Sequence, residues 1–473
     1  MTPAIDRLPF LPTSSQIAGL LRRSPSGVWL DSSLHHPELG RFSLVGLDPF
    51  LIFTSRGERC AVREKETVRE LTGDPWRVLQ EMFSHYRTPS APFPLAHGGA
   101  MGYFGYEMGR SLVGLPPGGM PEEPGPPDCW FAFFSSLLVL DHRAGETWLV
   151  ATGQPDPNSR VLARATLARL ARLLAEACTG RDEEKEASPG FLSARPTVHS
   201  LLDRASYTRV VARAKEYIAG GEIYQVNLSR RIVTAWNGDP IALYLRLREA
   251  SPAPFGAFLH LDEETALLSA SPELFLRIEG GRVETRPIKG TRPRGRTAAE
   301  DRRLAEELLA DEKERAELMM VVDLERNDLS RVCLPGTVEV PRVCGLESYP
   351  QVHHLVATVT GRLRPGMDAL DVLRAAFPGG SITGVPKRRA MEIIEELEPV
   401  PRGPYTGSLG YIGFDGRAAF NILIRTGWIH TGRLHFQTGG AVTADADPER
   451  EFEETVHKAA GWYAALGLGG DGG

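Results

Sequence analysis

Short apolar runs dominate the first 180 positions of the chain and are typical of strands. The segments 27–30 and 131–140 are two examples, since each is short and rich in aromatic or branched residues. A helical period of apolar residues appears only later and predicts a helix over 161–177. The first region therefore predicts a set of strands followed by one helix.

Beyond position 200 the pattern first becomes helical. Apolar residues that include Ala214 and Tyr217 recur at helical spacing and predict a helix over 207–219. Ser206 is the predicted N-cap, and Gly220 is expected to end the helix.

The next segment, 223–228, alternates with the period of a strand. Gln225 and Asn227 fall on one face, because successive side chains of a strand point to opposite sides. A polar strand face can be solvated or can line a site, and both interpretations stay open at this point. The opposite face is apolar and consists of Tyr224, Val226 and Leu228.

The remaining elements suggest the fold class. Strands are predicted at 265–269, 273–278, 282–288, 336–343, 354–363 and within 407–436. Helices are predicted at 299–327, 386–396 and 448–466. Strands that occur in consecutive runs between helices favour an α+β architecture of layered, largely antiparallel sheets flanked by helices.

Length and composition set the scale of the protein. The 473 residues exceed what one hydrophobic core normally organises, so two subdomains or one large composite domain are expected. A charged stretch at 181–200 indicates a linker or surface loop between an N-terminal region, 1–180, and a C-terminal region, 201–467. With 24% charged and 42% hydrophobic residues, the chain has the composition of a globular enzyme.

Charge and cysteine usage exclude several classes of function. A net charge of -6 gives no electrostatic reason to expect nucleic acid or an anionic membrane as a partner. The five cysteines are scattered and never spaced Cys-x-x-Cys, which argues against a disulfide framework or a zinc site. Without a signal-peptide pattern or an apolar run of transmembrane length, a soluble cytoplasmic protein is expected.

Lys289 is the first candidate for chemistry. It lies between Pro287 and Gly290, which constrain the backbone around its amine. Most lysines are solvated surface charges. An amine nucleophile at a constrained position instead indicates covalent catalysis.

Two glutamate pairs are candidates for a metal site. Glu314 with Glu317, and Glu451 with Glu454, each have i,i+3 spacing on a predicted helix, so each pair projects from one helical face. If the pairs converged, four carboxylates would suit Mg²⁺, which prefers oxygen ligands. Surface decoration is the alternative interpretation for each pair.

Two glycine-rich segments are candidates for anion binding. The segment 379–387 leads into a helix whose first turn is predicted to hold Pro386, and a helix N-terminus can bind an anion. It is not a nucleotide-binding Walker loop, because Val385 follows Gly384 where that motif requires lysine. A second glycine turn is predicted at 438–441, where backbone amides could approach a carboxylate. Each segment could also be an ordinary turn.

Two further charged residues occupy unusual positions. Arg425 interrupts a predicted apolar strand at 421–426, where an arginine either extends to the surface or forms a buried carboxylate clamp, and the apolar run favours the clamp. Glu273 lies at the head of a predicted strand, where a turn can direct its carboxyl group inward. An ordinary loop acid is the alternative.

Taken in order, these segments resemble the chorismate-utilising enzymes, which include anthranilate synthase component I, aminodeoxychorismate synthase component I, and isochorismate and salicylate synthases. The resemblance covers about residues 200–465, and the first half is similar to the amino-transferring members at 29–32 and 98–104. It implies the anthranilate synthase component I-like fold. The segments that carry it are 221–230, 271–273, 287–291, 317–328, 352–355, 377–391, 405–411, 424–426 and 439–455.

The resemblance also implies roles for individual residues. Glu317 and Glu454 would bind Mg²⁺ directly, and Glu314 and Glu451 through water, so that the metal holds the ring carboxylate of chorismate. Glu273 would be the general acid that protonates the departing C4 hydroxyl. The groups that would contact the rest of chorismate are Thr383 and His354 at the ring, and Tyr405, Arg425 and the backbone of Gly439 and Gly440 at the enolpyruvyl carboxylate.

Two positions distinguish among the members. Gln225 stands where isochorismate and salicylate synthases carry a water-activating lysine, which favours ammonia over water as the nucleophile. Lys289 stands where anthranilate synthases usually carry alanine and resembles aminodeoxychorismate synthase. The implied activity is that of its component I, a transferase that converts chorismate and ammonia to 4-amino-4-deoxychorismate through a covalent lysine adduct, in para-aminobenzoate and folate biosynthesis.

Partners and alternatives follow from the same resemblance. No glutaminase segment is visible in the sequence, so a separate glutaminase subunit is expected to supply the ammonia. Tryptophan binds the N-terminal half of some relatives, and 30–32 resembles that pocket. The alternatives are anthranilate synthase component I, which serves tryptophan biosynthesis, and a non-catalytic chorismate-binding regulatory subunit.

Overall fold

The structure, a computed structural model, describes residues 3–34, 39–89, 98–118, 125–156, 159–179, 196–349 and 352–468. Two antiparallel sheets of 12 strands each make up the centre of this described part, and α-helices flank them. The prediction of an α+β fold with layered antiparallel sheets is confirmed. Most of the predicted linker, 181–195, lies outside the described residues.

The strands at the edges of the sheets, β1, β6, β11 and β17, consist of exposed and half-buried positions, whereas central strands such as β8 and β14 are buried on both faces. In chain order they are β1 (Ala4–Leu8), β2 (Val28–Asp31), β3 (Phe42–Gly46), β4 (Leu51–Arg56), β5 (Arg59–Glu64), β6 (Thr67–Thr72), β7 (Gly99–Phe104), β8 (Cys129–Phe134), β9 (Ser136–Asp141), β10 (Glu146–Ala151), β11 (His199–Ser200), β12 (Gln225–Ala235), β13 (Phe255–His260), β14 (Thr265–Ser271), β15 (Leu274–Glu279), β16 (Arg282–Thr285), β17 (Ile288–Pro293), β18 (Glu339–Ser348), β19 (Val352–Arg362), β20 (Gly384–Val385), β21 (Ser408–Gly413), β22 (Ala418–Ile422), β23 (Thr426–His430) and β24 (Arg433–Val442).

The helices cover the outer faces of the sheets. In chain order they are α1 (Ser14–Arg22), α2 (Pro75–His85), α3 (Gly109–Leu112), α4 (Arg160–Thr179), α5 (Arg204–Ala219), α6 (Pro240–Ala250), α7 (Ala298–Ala310), α8 (Glu312–Ser330), α9 (Ala369–Ala376), α10 (Lys387–Leu397) and α11 (Pro448–Ala465). Within the described ranges, no helix is both long enough and apolar enough to cross a membrane.

Strands from both sides of the predicted linker pair within each sheet. The first sheet has the order β1-β10-β9-β3-β2-β13-β14-β23-β24-β12-β11, with β20 paired to β12. The second has the order β17-β19-β16-β15-β22-β21-β7-β8-β4-β5-β6, with β18 paired to β19. The pairs β2–β13 and β7–β21 join the N-terminal and C-terminal regions, so the two regions form one composite β structure.

The hydrophobic core has three parts. One cluster joins residues of both sheets, for example Val28 and Leu267 of the first with Met101 and Trp130 of the second, so the sheets face each other across it. A second cluster packs the second sheet against helices that include α2 and α8 and also contains Val226 and Leu228 of β12, and a third packs the first sheet against helices that include α4 and α6. Because burial of apolar area is the main stabilising term in folding, these three clusters hold the sheets and helices in fixed register.

The start of α5 differs from the prediction. Asp203, not Ser206, is the N-cap, and its carboxylate accepts a hydrogen bond of 2.8 Å from the backbone N–H of Ser206. The helix therefore begins at Arg204, before the first residue of the apolar stripe. Asp203 satisfies a free amide group of a first turn that precedes the apolar stripe, which is why the stripe alone misplaced the boundary.

The helix predicted at 299–327 is two helices. Asp311 has an extended backbone, ends α7 and caps α8, and its side chain accepts hydrogen bonds from the backbone N–H groups of Lys313 and Glu314. The helical period continues across this break because both helices pack their apolar residues toward the second sheet. The break places Glu314 in the first turn of α8.

Candidate active site

Lys289 lies on β17, at a bulge in its pairing with β19. Gly290 has φ +69°, and the register shifts between Lys289 and Thr291. A Cβ atom at Gly290 would lie 3.1 Å from a carboxylate oxygen of Glu314. The glycine therefore lets β17 approach α8 and turns Lys289 toward the interior, where its side chain is 11% exposed and Nζ lies 4.0 Å from Oε2 of Glu317.

The surroundings of Lys289 favour its neutral form. Burial lowers the pKa of the amine, the Glu317 carboxylate opposes this, and the Lys458 ammonium adds to the decrease. The net pKa lies below the ordinary value for lysine. A buried amine with a depressed pKa can act as a nucleophile, whereas an ammonium group cannot.

Glu273 lies in the turn between β14 and β15 and is 5% exposed. The Ser381 hydroxyl donates a hydrogen bond of 2.8 Å to Oε1 of Glu273. Burial raises the pKa of Glu273 to about 7, against the opposing effects of the Ser381 hydrogen bond and the Lys289 charge. A carboxyl group with this pKa holds its proton in part at neutral pH and can serve as a general acid.

The two glutamate pairs are brought together by α8 and α11. Each pair affects the other electrostatically: Glu454 raises the pKa of Glu317, and Glu317 raises that of Glu451. Burial is the largest cause of the shift at Glu451, whose pKa rises to about 7. Oε2 of Glu451 is buried and has no hydrogen-bond partner among the described residues.

Lysine ammonium groups neutralise these carboxylates. Lys313 lies 3.9 Å from Glu317, and Lys458 lies 2.5 Å from Glu454. Burial acts to raise the pKa of Glu454, but the Lys458 ammonium outweighs it, and the net pKa is lowered. Within the described ranges, no three His, Cys, Asp or Glu side chains already converge on one point that could hold a metal.

The chemistry of the donor set nevertheless fits a hard divalent cation. The candidate ligands are all carboxylate oxygens, which Mg²⁺ prefers. The unpartnered, buried Oε2 of Glu451 is costly in isolation and would gain a partner from a cation or its bound water. These four glutamates are therefore suitable ligands for Mg²⁺, and the magnesium site itself stays a prediction.

Gly439 and Gly440 lie in the middle of β24, so the turn predicted at 438–441 is wrong. A Cβ atom at Gly439 would lie 2.3 Å from the carbonyl oxygen of Leu228 on the paired strand, and one at Gly440 would lie 2.8 Å from Oε2 of Glu451. The glycines are required for this close approach of strand and helix. Paired glycines are also typical of turns, which is why the sequence predicted a turn here.

Arg425 joins β22 to β23 with φ +54°, so the single strand predicted at 421–426 is also wrong. Its Nη1 donates a hydrogen bond of 2.9 Å to the carbonyl oxygen of Lys458. Burial lowers the pKa of Arg425, while Tyr405 and Glu454 oppose the decrease. No carboxylate of the described residues lies within ion-pair distance of Arg425, and this agrees with a clamp for the carboxylate of a ligand.

Tyr405 and His354 lie near Arg425, and Thr383 lies two residues beyond Ser381, which contacts Glu273. Tyr405 is 3% exposed, and Thr383 is fully buried with its hydroxyl donating to the carbonyl oxygen of Gly379. Burial, helped by the charge of Arg425, lowers the pKa of His354 to about 4. The imidazole is therefore neutral at neutral pH, and its Nδ1 lies 2.9 Å from the hydroxyl of Thr291.

Gln225 begins β12 and is 1% exposed. Its side-chain oxygen has no hydrogen-bond partner among the described residues, and the same is true of Oδ1 of Asn227. The polar face of this strand is therefore buried rather than solvated. On the predicted apolar face, Tyr224 precedes the strand and is 72% exposed, so the prediction for that residue is wrong.

The glycine-rich segment 379–387 uses its first amide group internally. The N–H of Gly380 donates to Oε1 of Glu325 at 3.2 Å, and burial raises the pKa of Glu325 to about 8. Pro386 is the N-cap of α10 rather than a residue of its first turn. Lys387, the first residue of α10, donates a hydrogen bond of 2.8 Å to Asp328. The positive charge at this helix start is therefore already paired.

Three residues at the site were not singled out from the sequence. Ser381 contacts Glu273, Lys458 neutralises Glu454, and Glu325 supports the 379–383 turn. Only Lys458 carried a local signal, because it lies one helical turn beyond Glu454 on α11. The other two contacts join segments that are distant in sequence.

A cavity lies between the two sheets, outside the Lys289 cluster. It has a volume of about 260 Å³, and Leu30, Asp31 and Ser32 contribute to its lining together with residues of β13 and β22. Arg248 donates to Oδ2 of Asp31 at 2.6 Å. The segment whose resemblance suggested a tryptophan pocket therefore does line a cavity, and its ligand stays a prediction.

Comparison with known proteins identifies the family. A family model described as chorismate binding enzyme matches residues 36–463, which is most of the chain. The chain belongs to the chorismate-binding enzyme family. The resemblance stated from the sequence is thereby confirmed.

Relatives named for two different activities, anthranilate synthesis and aminodeoxychorismate synthesis, are about equally similar to this chain. It is 43% identical to anthranilate synthase component 1 of Streptomyces coelicolor over 83% of this chain and 78% of that protein. It is 36% identical to aminodeoxychorismate synthase component 1 of Bacillus subtilis over 98% of this chain and 97% of that protein. Overall identity therefore does not choose between the two activities.

A solved structure of the chorismate-binding family agrees with the fold. Anthranilate synthase component I of Streptococcus pneumoniae superposes with a TM-score of 0.77 at 28% identity, covering 91% of this chain and 93% of that one. The expectation of an anthranilate synthase component I-like fold is confirmed.

Proposed function

We propose that this chain is the chorismate-aminating component of an aminodeoxychorismate synthase, which forms 4-amino-4-deoxychorismate from chorismate and ammonia. The observation that carries the proposal is the placement of Lys289. Its amine is buried with a depressed pKa in the same cluster as the acid Glu273 and the carboxylate Glu317. Anthranilate synthases usually carry alanine at the matching position and have no such amine to offer.

The first step forms a covalent adduct. The neutral amine of Lys289 attacks ring C2 of chorismate, both ring double bonds shift by one position toward C4, and the C4–O bond breaks as Glu273 gives its proton to the leaving oxygen. The products are a lysine adduct at C2, water and the Glu273 carboxylate. A proton is essential here, because hydroxide is a poor leaving group.

The second step returns the lysine and places nitrogen at C4. Ammonia attacks C4, both double bonds shift back, and the bond between C2 and the lysine nitrogen breaks. One proton of the incoming ammonia passes to the Glu273 carboxylate and restores the acid, so the sum of both steps is chorismate plus ammonia giving 4-amino-4-deoxychorismate plus water. The two successive displacements explain why nitrogen is found at C4 instead of C2.

Other residues of the cluster would bind and orient chorismate. Arg425 and Tyr405 would hold the enolpyruvyl carboxylate, since the Arg425 guanidinium has no carboxylate partner among the described residues. Glu317 and Glu454, with Glu314 and Glu451, would hold Mg²⁺. When bound, the ion would neutralise and fix the ring carboxylate, which is the role expected for magnesium with oxygen ligands.

Ammonia would come from a separate glutaminase subunit. Relatives of both activities carry the name component 1, which is that of one part of a two-part enzyme. The buried oxygen of Gln225 can accept a hydrogen bond from ammonia, whereas a lysine at this position would favour activation of water. A bound tryptophan in the cavity lined by 30–32 and a place in folate biosynthesis are part of the same proposal.

Anthranilate synthase component I is the second candidate. The observation that favours it is the 43% identity to the Streptomyces coelicolor protein of that name. In this reaction nitrogen would remain at C2, pyruvate would be eliminated, and Lys289 would not become covalently attached. The two reactions therefore differ in product and in the state of one side chain.

Product analysis tests the proposal directly. The purified chain is incubated with chorismate, Mg²⁺ and ammonium at alkaline pH, and the products are separated and identified by mass. We expect 4-amino-4-deoxychorismate as the main product. Fluorescent anthranilate as the main product would establish the second candidate instead, and unconsumed chorismate would favour a non-catalytic binding subunit.

A further inference from the structure

Arg402 and Glu398 form a buried ion pair behind the proposed chorismate site. Their side chains are 1% and 3% exposed. Two parallel hydrogen bonds join them, from Nη2 to Oε1 at 2.7 Å and from Nε to Oε2 at 2.9 Å. A bidentate pair of this kind has a fixed geometry, because the planar guanidinium matches both carboxylate oxygens at once.

The remaining donors of Arg402 bind the backbone and side chain of three segments. Nη1 donates to the carbonyl oxygen of Ile382 at 3.0 Å and to the hydroxyl of Thr406 at 3.2 Å. Nη2 donates to the carbonyl oxygen of Asn227 at 2.6 Å. A guanidinium has five N–H donors, and all five have acceptors here. Arg402 therefore has no donor left for a ligand.

Each of these three acceptors adjoins or lies two positions from a residue that is proposed to face chorismate or ammonia. Ile382 directly precedes Thr383, and Thr406 directly follows Tyr405. The third acceptor lies on β12 and follows Gln225 by two positions. Three segments that are far apart in sequence thus converge on one buried guanidinium.

Glu398 and the neighbouring rings complete the arrangement. Oε1 of Glu398 accepts hydrogen bonds from both the backbone N–H and the hydroxyl of Ser229, at 2.8 and 2.9 Å. The guanidinium carbon of Arg402 lies 4.7 Å from the ring centre of Tyr106 and 5.8 Å from that of Tyr405. β12 is therefore attached to both members of the ion pair.

We propose that Arg402, held by Glu398, is a positioning residue of the amination reaction. It fixes Thr383, Tyr405 and Gln225 relative to one another without touching chorismate. The inference rests on the proposed function only in taking those three residues as the ones that face the substrate. Small misplacements of groups around a reacting substrate reduce rates by large factors, so the effect should appear in catalysis rather than in folding alone.

Arg402→Lys tests the proposal while keeping the positive charge. Lysine has three donors on one atom and cannot hold three segments and both oxygens of Glu398. Steady-state chorismate consumption is measured on folded protein isolated by gel filtration. We expect kcat/KM to fall about 100-fold, with KM raised as well as kcat lowered. A value within threefold of the unmodified chain would overturn the proposal.

A control separates positioning from loss of stability. Leu149 is fully buried in β10, in the cluster between the first sheet and its helices, and Leu149→Ala is expected to lower Tm while leaving KM and kcat unchanged below the transition. If Arg402→Lys reduced activity no more than Leu149→Ala at an equal loss of Tm, the role of Arg402 would be structural only.

A second variant covers the case in which the first does not fold. Arg402→Met combined with Glu398→Leu removes both charges, so no uncompensated charge remains buried, and such replacements are often tolerated. We expect a folded protein with the same loss in kcat/KM. Failure of both variants to fold would contradict a positioning role. The proposed function is tested separately, by identifying the product of the unmodified chain. The test of Arg402 compares only rates of chorismate consumption, so it holds whichever amine is formed.

Discussion

The amine of Lys289 lies 4.0 Å from the Glu317 carboxylate, which joins the proposed nucleophile to a proposed metal ligand. Each group favours the charged form of the other: Glu317 acts to raise the pKa of Lys289, and Lys289 acts to lower the pKa of Glu317. Burial disfavours both charges. Burial outweighs the pairing at both groups, so the pKa of Lys289 is depressed and the pKa of Glu317 is raised.

Lys289→Ala removes the proposed nucleophile. In the unmodified chain incubated with chorismate, intact-mass spectrometry is expected to detect a covalent adduct, because Lys289 would displace the C4 hydroxyl. The variant should lose this adduct and should either slow about 100-fold or more or divert product to anthranilate. Lys65→Gln, at an exposed lysine between β5 and β6, is the control and should retain the adduct. An undiminished adduct in Lys289→Ala would assign the nucleophile to another residue.

Glu273→Gln removes the proposed acid. Because the glutamine amide cannot protonate the C4 hydroxyl, kcat should fall by about 10²–10⁴-fold with little change in the KM for chorismate. Stopped-time assays of chorismate consumption measure this. A variant with unchanged kcat would show that another group supplies the proton.

Ser381→Ala should shift the pH dependence of the same step. The Ser381 hydrogen bond lowers the pKa of Glu273, which is about 7 in its presence, so its removal raises that pKa. Activity that requires protonated Glu273 is lost as pH rises through the pKa, and the alkaline limb of kcat against pH should therefore move to higher pH. Ser330→Ala, at an exposed serine at the end of α8, should leave the limb in place. A shift to lower pH would contradict the hydrogen-bond assignment.

Glu454→Gln should weaken Mg²⁺ binding. Removing one carboxylate from an all-oxygen donor set leaves less charge for a hard cation, and Glu451→Gln, proposed to act through water, should cost about 10–100-fold in affinity. Calorimetric titration with Mg²⁺ measures both without reference to turnover. Glu453→Gln is the matched control, because Glu453 is on the same helix but pairs with Arg204. Equal affinities for all three variants would exclude α11 from the metal site.

Glu325→Gln should stabilise the chain at alkaline pH. Burial raises the folded-state pKa of Glu325 to about 8 from the ordinary 4.5 of a glutamate, so the folded protein holds the proton more tightly than the unfolded chain. The associated stability is fully present below about pH 4.5 and is lost as pH rises through about 8. Thermal unfolding should show a Tm gain on the order of 2 °C for the variant at pH 8.5 and a smaller difference at pH 6. A lower Tm at pH 8.5 would mean that the carboxylate is stabilised by its surroundings.

Local pattern was sufficient for the features that depend on neighbours in sequence. The i,i+3 pairs on α8 and α11 and the antiparallel class of the sheets follow from helical and strand periods. The family resemblance also indicated Lys289 and Glu273, because each of its motifs is a short segment of the chain. Each of these features is encoded within a few residues of the chain.

The tertiary structure decided the features that depend on contacts between residues far apart in sequence. Glycines at 439 and 440 have the composition of a turn, but the neighbouring strand and Glu451 lie too close to them for any side chain, and this cannot be seen locally. The sequence determined which acids, amines and glycines the protein has and on which elements they lie. The packing of two sheets with α8 and α11 decided their distances and their pKa values, because burial and charge act through space and not along the chain.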